Sequence, residues 1–242
     1  MGTAARRTIL KNIRLDQQRF PHAGLWLDKF LPEQTEQGGE NVYTPHFSSA
    51  ATIPVAPAYH NFFVRWEQTL KEAGARTARA TTLGRLVVGL GADSVLENAI
   101  TLHRTYGVPV IPGSALKGLA AAYARNHLQD EAWHVKTDQK GKIIYMGEAY
   151  RILFGDADSA GYVTFFDALY HPDGSPKKPL VMDVVTVHHQ GYYQDKNEPP
   201  ADWDSPNPVP FVSVRDGVKF LVALAGPDEW VDAAFQILKL AL

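Results

Sequence analysis

The stretch "YGVPVIPGSALKGLAAAYAR", residues 106–125, decides how the middle of this chain folds. Pro112 cannot occupy a helix interior, and Gly113 permits unusual backbone angles. Ser114 is a preferred N-cap residue, and a run with helical apolar spacing follows it. The pattern therefore predicts a helix from about Ser114 to His127.

The start of this predicted helix has the features of an anion site. Amides of a first helical turn have no partner within the helix, and the positive end of the helix dipole lies beside them. Lys117 adds a full charge one turn in, and Arg125 lies on the same face. The sequence therefore predicts a phosphate contact here. The face expected to point to the core carries Leu116, Leu119, Ala120 and Tyr123.

Gly118 lies inside the predicted helix, where glycine costs about 1 kcal/mol relative to alanine. We expect a neighbouring strand or a nucleotide to approach the backbone at this point. An ordinary capped helix with a surface lysine would give the same pattern. The nucleotide-binding G-x-x-x-x-G-K-[ST] and G-x-G-x-x-G spacings are both absent from the sequence.

Composition limits the class of protein. The 242 residues are 45% hydrophobic and 21% charged, enough for one large domain or two small ones. Apolar runs such as "FLVALAG", residues 220–226, are shorter than the roughly 18 residues of a membrane span. We therefore expect a cytoplasmic protein. The sequence has no cysteine, which excludes disulfides and thiolate metal sites, and we expect neither a metal nor a cofactor.

Charge is distributed unevenly along the chain. The net charge is −2, but residues 1–125 carry 14 Lys and Arg against 9 Asp and Glu, whereas residues 126–242 carry 10 against 17. The basic half contains the motif of residues 106–125, which is compatible with a surface that faces a polyanion. Solvated charges would also give this distribution. A charged turn, "KTDQKGK", lies at residues 136–142.

Periodicity predicts helices and strands that interleave without βαβ regularity, which favours an α+β fold. Helices are expected at residues 58–73, at 148–155 and at the C-terminus, where Trp230, Ala234, Ile237 and Ala241 share a face. Strands are expected at residues 81–91, 160–169 and 180–189, and a β-hairpin at the Asp216-Gly217 turn. Residues 1–57 read as an irregular arm, and residues 171–210, with eight prolines, as a long excursion.

Several segments match a known family in the same order along the chain: "RLVVGLG", "SVLENAITLHRTYGVPVIPGSALKG", "ILFGDADSAGYVTFFDA", "LVMDVVTVHHQGYY" and "PVPFVSV". With these segments the sequence resembles the RAMP superfamily of CRISPR proteins, whose hallmark is an IPGS-x-LKG segment. Within that superfamily it resembles a RAMP subunit of the type III-B (Cmr) effector complex. One feature departs from the family: a C-terminal glycine-rich loop with a lysine and a closing strand do not occur before Leu242.

The resemblance implies a ferredoxin-like, RRM-type core over residues 58–242, with the excursion at 171–210 as a protruding hairpin insertion. It implies a noncatalytic antiviral subunit that binds the guide RNA (crRNA) backbone near its 3′ end and caps the filament of repeated subunits. The implied partners are crRNA, target RNA, other RAMP subunits and the small subunit of the complex. The family's backbone contacts map onto Gly113, Ser114, Lys117 and Gly118, with His103 and Arg104 on the approach.

Other residues are further candidates for RNA contact. His188 and His189, near Asp183, invite a metal or acid–base interpretation, but adjacent residues of a strand point to opposite faces. Tyr192 and Tyr193 are suited to stacking on bases or to packing. Arg85, together with Arg76 and Arg79, is suited to phosphate contact or to solvation.

Three alternatives remain open at the level of the sequence. The first is a metal-independent RAMP ribonuclease that processes guide RNA with His188 or His189 as the acid. The second is a structural cap held by protein contacts alone, and the third is a subunit of another type III subtype. Asp93 follows the predicted strand at residues 81–91, where the filament's repeated subunit places its cleaving aspartate, but a helix cap would look the same.

Overall fold

A computed structural model of the chain describes residues 3–4, 10, 21–34, 40–94, 96, 98–187, 199, 201 and 207–242. The chain divides into two compact units. The first comprises Met1–His60, Thr81–Pro109 and Pro172–Lys219, and the second comprises Asn61–Ala80, Val110–His171 and Phe220–Leu242. Each unit is therefore assembled from segments that lie far apart in the sequence.

The described part of the chain contains helices and strands in mixed order. The helices are α1 (Ala23–Lys29), α2 (Glu40–Ala51), α3 (Pro57–Glu72), α4 (Gly113–His127), α5 (Glu148–Phe154) and α6 (Asp228–Ala241). The strands are β1 (Thr3–Ala4), β2 (Glu33–Gln34), β3 (Arg76–Thr81), β4 (Val110–Ile111), β5 (Val135–Thr137), β6 (Ile143–Met146), β7 (Thr164–Phe165), β8 (Ala168–Tyr170), β9 (Leu180–Val187), β10 (Asn207–Val214) and β11 (Lys219–Ala225).

The second unit is built on a sheet with the order β3-β11-β8-β4, in which β7 also pairs with β11. The ladders of β11 with β7 and β8, and of β8 with β4, are antiparallel. The five central residues of β11 are all buried, because this apolar strand has neighbours on both edges. Helix α4 packs against α6, α5 and β7, which places the motif helix against the sheet.

The first unit is built on the long antiparallel pair β9 and β10, which runs in register from Leu180 opposite Val214 to Val187 opposite Asn207. Helix α2 packs on both strands, and α1 packs on α2. Trp26 of α1 stacks on His46 of α2 and donates its indole N–H to the His46 carbonyl at 3.1 Å. These contacts give the unit its own core.

Most predicted elements are confirmed, and the mixture of helices with antiparallel sheets confirms the α+β class. Helices α3, α4, α5 and α6 and strand β9 lie within about a turn of their predicted positions. The buried face of α6 differs in part from the prediction, because Val231 and Leu238 are buried with Ala234 and Ile237, whereas Trp230 and Ala241 are half-buried. The irregular character predicted for residues 1–57 is wrong for the described part of this segment, which contains α1 and α2. The predicted boundary between an arm and a domain at residues 57 and 58 stays a prediction.

The prediction of a buried strand at residues 81–91 is wrong. Within the described residues this segment contributes only Thr81, as the last residue of β3, and one isolated bridge between Leu86 and Val214. Leu83 is 98% exposed. The ladder lies one segment earlier, in the polar strand β3. Strand β3 ends at Thr81, and the hydroxyl of the next residue, Thr82, donates to the Arg215 carbonyl at 2.9 Å. The apolar composition of residues 81–91 indicated burial, but no second strand of the described part of the chain pairs along them.

The predicted β-hairpin at Asp216-Gly217 is also wrong. The turn exists, with Gly217 at a φ of 75°, but the strands on either side of it pair elsewhere. Strand β10 pairs with β9, whereas β11 pairs with β7 and β8. The turn residues fixed the local reversal of the chain, and the distant partners decided the pairing. The strand predicted at residues 160–169 is divided between β7 and β8, and Tyr162 is 61% exposed.

No helix in the part of the chain that the structure describes has the length and apolar character required to cross a membrane.

Candidate nucleic-acid interface

Helix α4 begins one residue earlier than predicted, and its cap differs. The N-cap position is Pro112, which provides no side-chain hydrogen bond, and Ser114 lies inside the first turn with its side chain exposed. The prediction of Ser114 as the N-cap is therefore wrong. The physical reason is that the rigid φ of Pro112 already directs the chain into the helix at Gly113.

The capping function at this helix start comes from a distant residue. The Gly113 amide donates to the Asp167 carboxylate at 2.8 Å, so the negative charge of Asp167 lies at the positive end of the helix dipole. Asp167 falls between β7 and β8, 54 residues further along the chain. The sequence reasoning missed this residue, since no local pattern connects "FFDAL" with the motif. One donor of the predicted anion site is thus already engaged.

Gly113 is explained by packing against the sheet. It is buried, and a Cβ at this position would overlap the Phe165 carbonyl oxygen, so only glycine lets the helix start approach β7 so closely. The glycine of the motif therefore has a structural function in this unit. The contact of Gly113 with an RNA backbone stays a prediction.

The solvent side of the first turn remains open. The amides of Ala115 and Leu116 donate to the Pro112 carbonyl at 2.9 and 3.2 Å, whereas no acceptor for the Ser114 amide is found within the described residues. The Ser114 hydroxyl is exposed next to this amide. One backbone donor and one side-chain hydroxyl therefore remain for a ligand.

Lys117 and Gly118 continue this open side. Lys117 is half-buried, and none of the ion pairs among the described residues involves its ammonium group. Gly118 is exposed, and a Cβ built on it would have no atom within 4 Å. Among the described residues, no strand approaches this glycine, contrary to one of the two reasons that we expected for it. The backbone at Gly118 faces free space.

The opposite face of α4 follows the predicted core only in part. Leu116 and Ala120 are buried as predicted, together with Ala124. Leu119, predicted to face the core, is 37% exposed, and Tyr123 is half-buried. Arg125 is exposed, with its Nε 3.4 Å from the Asn126 amide oxygen. Lys117, Gly118, Leu119 and Arg125 thus all reach solvent from this helix.

His103 and Arg104 lie in the first unit, where they line a cavity of about 560 Å³ together with residues of α1 and of the segment 92–102. The His103 Nδ1 accepts the Thr105 amide at 3.2 Å, and its ring lies 5.3 Å from that of Tyr106. The Arg104 side chain is exposed. The Arg104 carbonyl accepts from His22 Nε2 at 3.0 Å, and His22 Nδ1 in turn accepts the Leu25 amide. The neutral tautomer with the proton on Nε2 satisfies both bonds.

Arg85 is held by two carboxylates of the first unit. Its Nε lies 3.3 Å from Asp183, and its Nη1 lies 3.4 Å from Asp216. The guanidinium is about half exposed, so both pairs are screened by water. Because Asp183 pairs with Arg85, this carboxylate is not a free partner for a histidine. RNA contact by Arg85 stays a prediction.

Four predicted site residues lie outside the described residues, namely His188, His189, Tyr192 and Tyr193. Asp93 is exposed and lines the cavity that also contains His103. The cap-like hydrogen bond of this segment comes from its neighbour, because the Leu96 amide donates to the Ser94 hydroxyl at 3.1 Å.

The structure thus combines an α+β fold with a motif helix whose first turn presents a free amide, a hydroxyl and a lysine to solvent. The sequence profile of the RAMP superfamily matches residues 79–241, and the chain belongs to this superfamily. The resemblance found in the sequence is thereby confirmed.

Individual proteins similar to this chain come from CRISPR Cmr systems. The CRISPR system Cmr subunit Cmr6 of Pyrococcus furiosus is 33% identical in sequence, over 76% of this chain and 67% of the relative. A cryo-EM structure of the type III-B Cmr-beta bound to cognate target RNA contains a chain that superposes with a TM-score of 0.59 at 19% identity. The match covers 81% of this chain and 63% of that chain, and at this identity it shows the fold alone. The crystal structure of Cmr6 from Pyrococcus furiosus matches at 32% identity and a TM-score of 0.40, over 69% of this chain and 89% of the other.

Proposed function

We propose that this chain is a noncatalytic RNA-binding subunit of a type III-B CRISPR effector complex, related to Cmr6. It binds the crRNA backbone near the 3′ end of the guide and caps the filament of repeated subunits. Membership in the RAMP superfamily and the 33% identity to Cmr6 support this proposal. The proposed partners are crRNA, target RNA, other RAMP subunits and the small subunit, in a cytoplasmic complex used for antiviral defence.

One observation carries the RNA-binding part of the proposal, and this is the open side of the α4 start. The Ser114 amide and hydroxyl, the Lys117 ammonium and the bare backbone at Gly118 lie within five consecutive residues of one helix. Amides and an ammonium are donors without base preference, so they suit a sugar–phosphate strand. The missing Cβ at Gly118 lets such a strand approach the helix backbone.

The Asp167 carboxylate modulates this site. It already neutralises part of the helix dipole at the Gly113 amide, so the dipole alone does not attract a phosphate strongly. The full charge of Lys117 then supplies most of the attraction. Binding is accordingly expected to be indifferent to base sequence and to weaken steeply with salt.

The finer architecture belongs to the same proposal. We take the β3-β11-β8-β4 sheet with α4 and α6 as the ferredoxin-like core, and the β9–β10 pair as the base of the protruding insertion at residues 171–210. In the type III-B assembly this insertion would wedge against the guide–target duplex. Another type III subtype is the alternative assembly.

The experiment for RNA binding compares Lys117→Ala with the matched helix variant Lys71→Ala. A fluorescent single-stranded RNA is titrated with the full chain at several salt concentrations. Loss of one charged contact is expected to weaken binding roughly 5- to 30-fold and to reduce the salt slope by about 0.7. Equal affinities of the two variants across the salt series would exclude the α4 start as the RNA contact.

The noncatalytic part is tested separately. The full chain is incubated with labelled repeat RNA in EDTA, and the products are separated on a gel. No discrete products are expected. Discrete products that disappear in the variants His188→Ala or His189→Ala would instead identify a metal-independent ribonuclease.

A further inference from the structure

The strands β5 and β6 form a two-stranded sheet of their own that projects into solvent. Every residue from 136 to 145 is exposed. Ile143, Ile144 and Tyr145 are 50, 65 and 40% exposed, the longest run of exposed large apolar side chains in the described part of the chain. A hairpin that leaves such a run uncovered is typical of a surface with a partner.

The hairpin is held in one shape at its turn. The Asp138 carboxylate accepts the amides of Lys140 and Lys142, each at 2.9 Å. The Asp138 backbone closes the same turn, because its amide donates to the Lys142 carbonyl at 2.9 Å and its carbonyl accepts the Gly141 amide at 3.0 Å. The carboxylate oxygen is therefore engaged by two amides of its own turn.

The base of the hairpin is fixed as well. The Tyr145 hydroxyl donates to the Glu131 carbonyl at 3.3 Å, and the Gly147 amide donates to the His134 carbonyl at 2.9 Å. With both ends tied, the hairpin presents its side chains in a defined arrangement. Such pre-ordering reduces the entropy lost when a partner binds.

The charge of the hairpin is positive. It carries Lys136, Lys140 and Lys142 against the single carboxylate of Asp138, within the half of the chain that is otherwise acidic. None of these three lysines belongs to an ion pair among the described residues. The Lys136 ammonium lies 5.2 Å from the centre of the Tyr145 ring, which places a cation beside an exposed aromatic face.

Apolar side chains reach both faces of the hairpin. The pairing shifts by one residue at a bulge, so that Thr137 pairs with Ile143 and Lys136 pairs with Tyr145. Since paired residues share a face and neighbouring residues of a strand alternate, Ile143 and Tyr145 lie on opposite faces. A ligand that is strongly anionic and also offers flat apolar surface fits this combination. Single-stranded nucleic acid has both, because its phosphates bind lysines and its bases stack on aromatic and apolar side chains.

We propose that the β5–β6 hairpin is a second RNA-binding surface, where Lys136, Lys140 and Lys142 bind phosphates and Tyr145 stacks on a base. This inference rests on the proposed function only for the identity of the ligand as RNA. The residues are different from those of the α4 start, so the two sites can be tested independently.

The test removes three charges from the hairpin and compares the result with the same loss elsewhere. The variant Lys136→Gln, Lys140→Gln, Lys142→Gln is matched by the control Arg65→Gln, Lys71→Gln, Lys239→Gln, which has the same net charge and changes exposed residues of α3 and α6. The probe is a fluorescent 20-nucleotide single-stranded RNA of mixed sequence, titrated with the full chain. The hairpin variant is expected to bind at least 10-fold more weakly than the control near physiological salt, with a salt slope lower by about 2. Equal binding of the two variants overturns the proposal.

Lys117→Ala in the same assay separates the two sites. If this variant binds normally and the hairpin variant does not, the α4 start is excluded as an RNA contact and the hairpin is supported as one. The reverse result overturns only the hairpin.

Cross-linking gives a readout that does not depend on affinity. RNA that contains 4-thiouridine is irradiated with the wild-type chain, and adducts are mapped by mass spectrometry. Adducts on Tyr145 or on the three lysines are expected. If the hairpin variant binds RNA like the control but fails to assemble with neighbouring subunits, the surface docks a protein and the RNA proposal is overturned.

Discussion

The start of α4 and the β5–β6 hairpin lie in the same unit and present similar chemistry, but an acidic residue is used differently in each. At α4 the Asp167 carboxylate comes from a distant segment and occupies the Gly113 amide that the motif offers. In the hairpin the Asp138 carboxylate binds amides of its own turn and leaves the lysines without an ion pair within the described residues. Whether a basic segment can bind an anion therefore depends on which groups the nearest carboxylate already contacts.

The largest effect expected from this contrast is on stability at Gly113. The change Gly113→Ala places a Cβ against the Phe165 carbonyl, so we expect a loss of about 1–3 kcal/mol in the free energy of unfolding. Thermal unfolding measures the loss. The control is Gly84→Ala, since a Cβ there has no atom within 4 Å. Equal melting temperatures for both variants would show that the helix start is not tightly packed on β7.

The second prediction concerns the charge at the helix start. The change Asp167→Asn keeps a side-chain acceptor for the Gly113 amide but removes the charge beside the dipole. We expect stability to fall by about 0.3–1 kcal/mol. RNA affinity should rise in the same variant, because a phosphate no longer meets a nearby carboxylate. Urea unfolding and RNA titration measure the two quantities. A fall in RNA affinity would mean that Asp167 does not oppose the ligand.

The third prediction concerns Gly118, where stability and binding should change in opposite directions. The change Gly118→Ala adds a Cβ into free space and improves helix propensity, so stability should increase by about 0.5–1 kcal/mol. RNA affinity should decrease, because the methyl group occupies the space proposed for the RNA strand. A variant that is more stable and binds RNA unchanged would place the strand elsewhere on α4.

The smallest effect on the free energy of unfolding is expected at an exposed ion pair. Arg76 Nη2 lies 2.6 Å from Asp232 Oδ1, and the hydrogen bond from Arg76 lowers the pKa of Asp232. Because the pKa of Asp232 is lower in the folded state, its carboxylate stabilises the fold at pH values above the ordinary pKa of an aspartate. This contribution is lost as the pH falls through the lowered pKa, below about pH 4. Asp232→Asn should barely change the urea midpoint at neutral pH and should lessen the loss of stability in acid. A large change at neutral pH would contradict this, because water screens both partners.

The sequence predicted correctly those elements whose physical cause acts between neighbouring residues. The helical period of residues 58–73, and Pro227 followed by Asp228 and Glu229, predicted α3 and α6 closely, because capping and periodicity act within a few residues. The IPGS-x-LKG segment and its ordered companions indicated the RAMP superfamily, because several matches in series rarely coincide. The charged turn at residues 136–142 was visible in the sequence, but its function was not.

Features that depend on distant partners could not be predicted. Residues 81–91 are apolar enough for a buried strand, yet Leu83 is exposed, and no second strand among the described elements pairs along the segment. The Asp216-Gly217 turn is present, but β10 and β11 each pair with strands from other parts of the chain. Pairing depends on which strands meet in three dimensions, and turn chemistry does not specify that.

By itself, then, the sequence determined the class of fold, most of the helices and the family, since each depends on the order and spacing of neighbouring residues. Which donors of the motif helix remain available depends on tertiary contacts, because Asp167 and Phe165 reach Gly113 from about 50 residues away. The tertiary structure likewise decided that Gly118 and the hairpin side chains face solvent. Exposure depends on all the segments that pack around a residue, and its immediate neighbours in the sequence do not fix it.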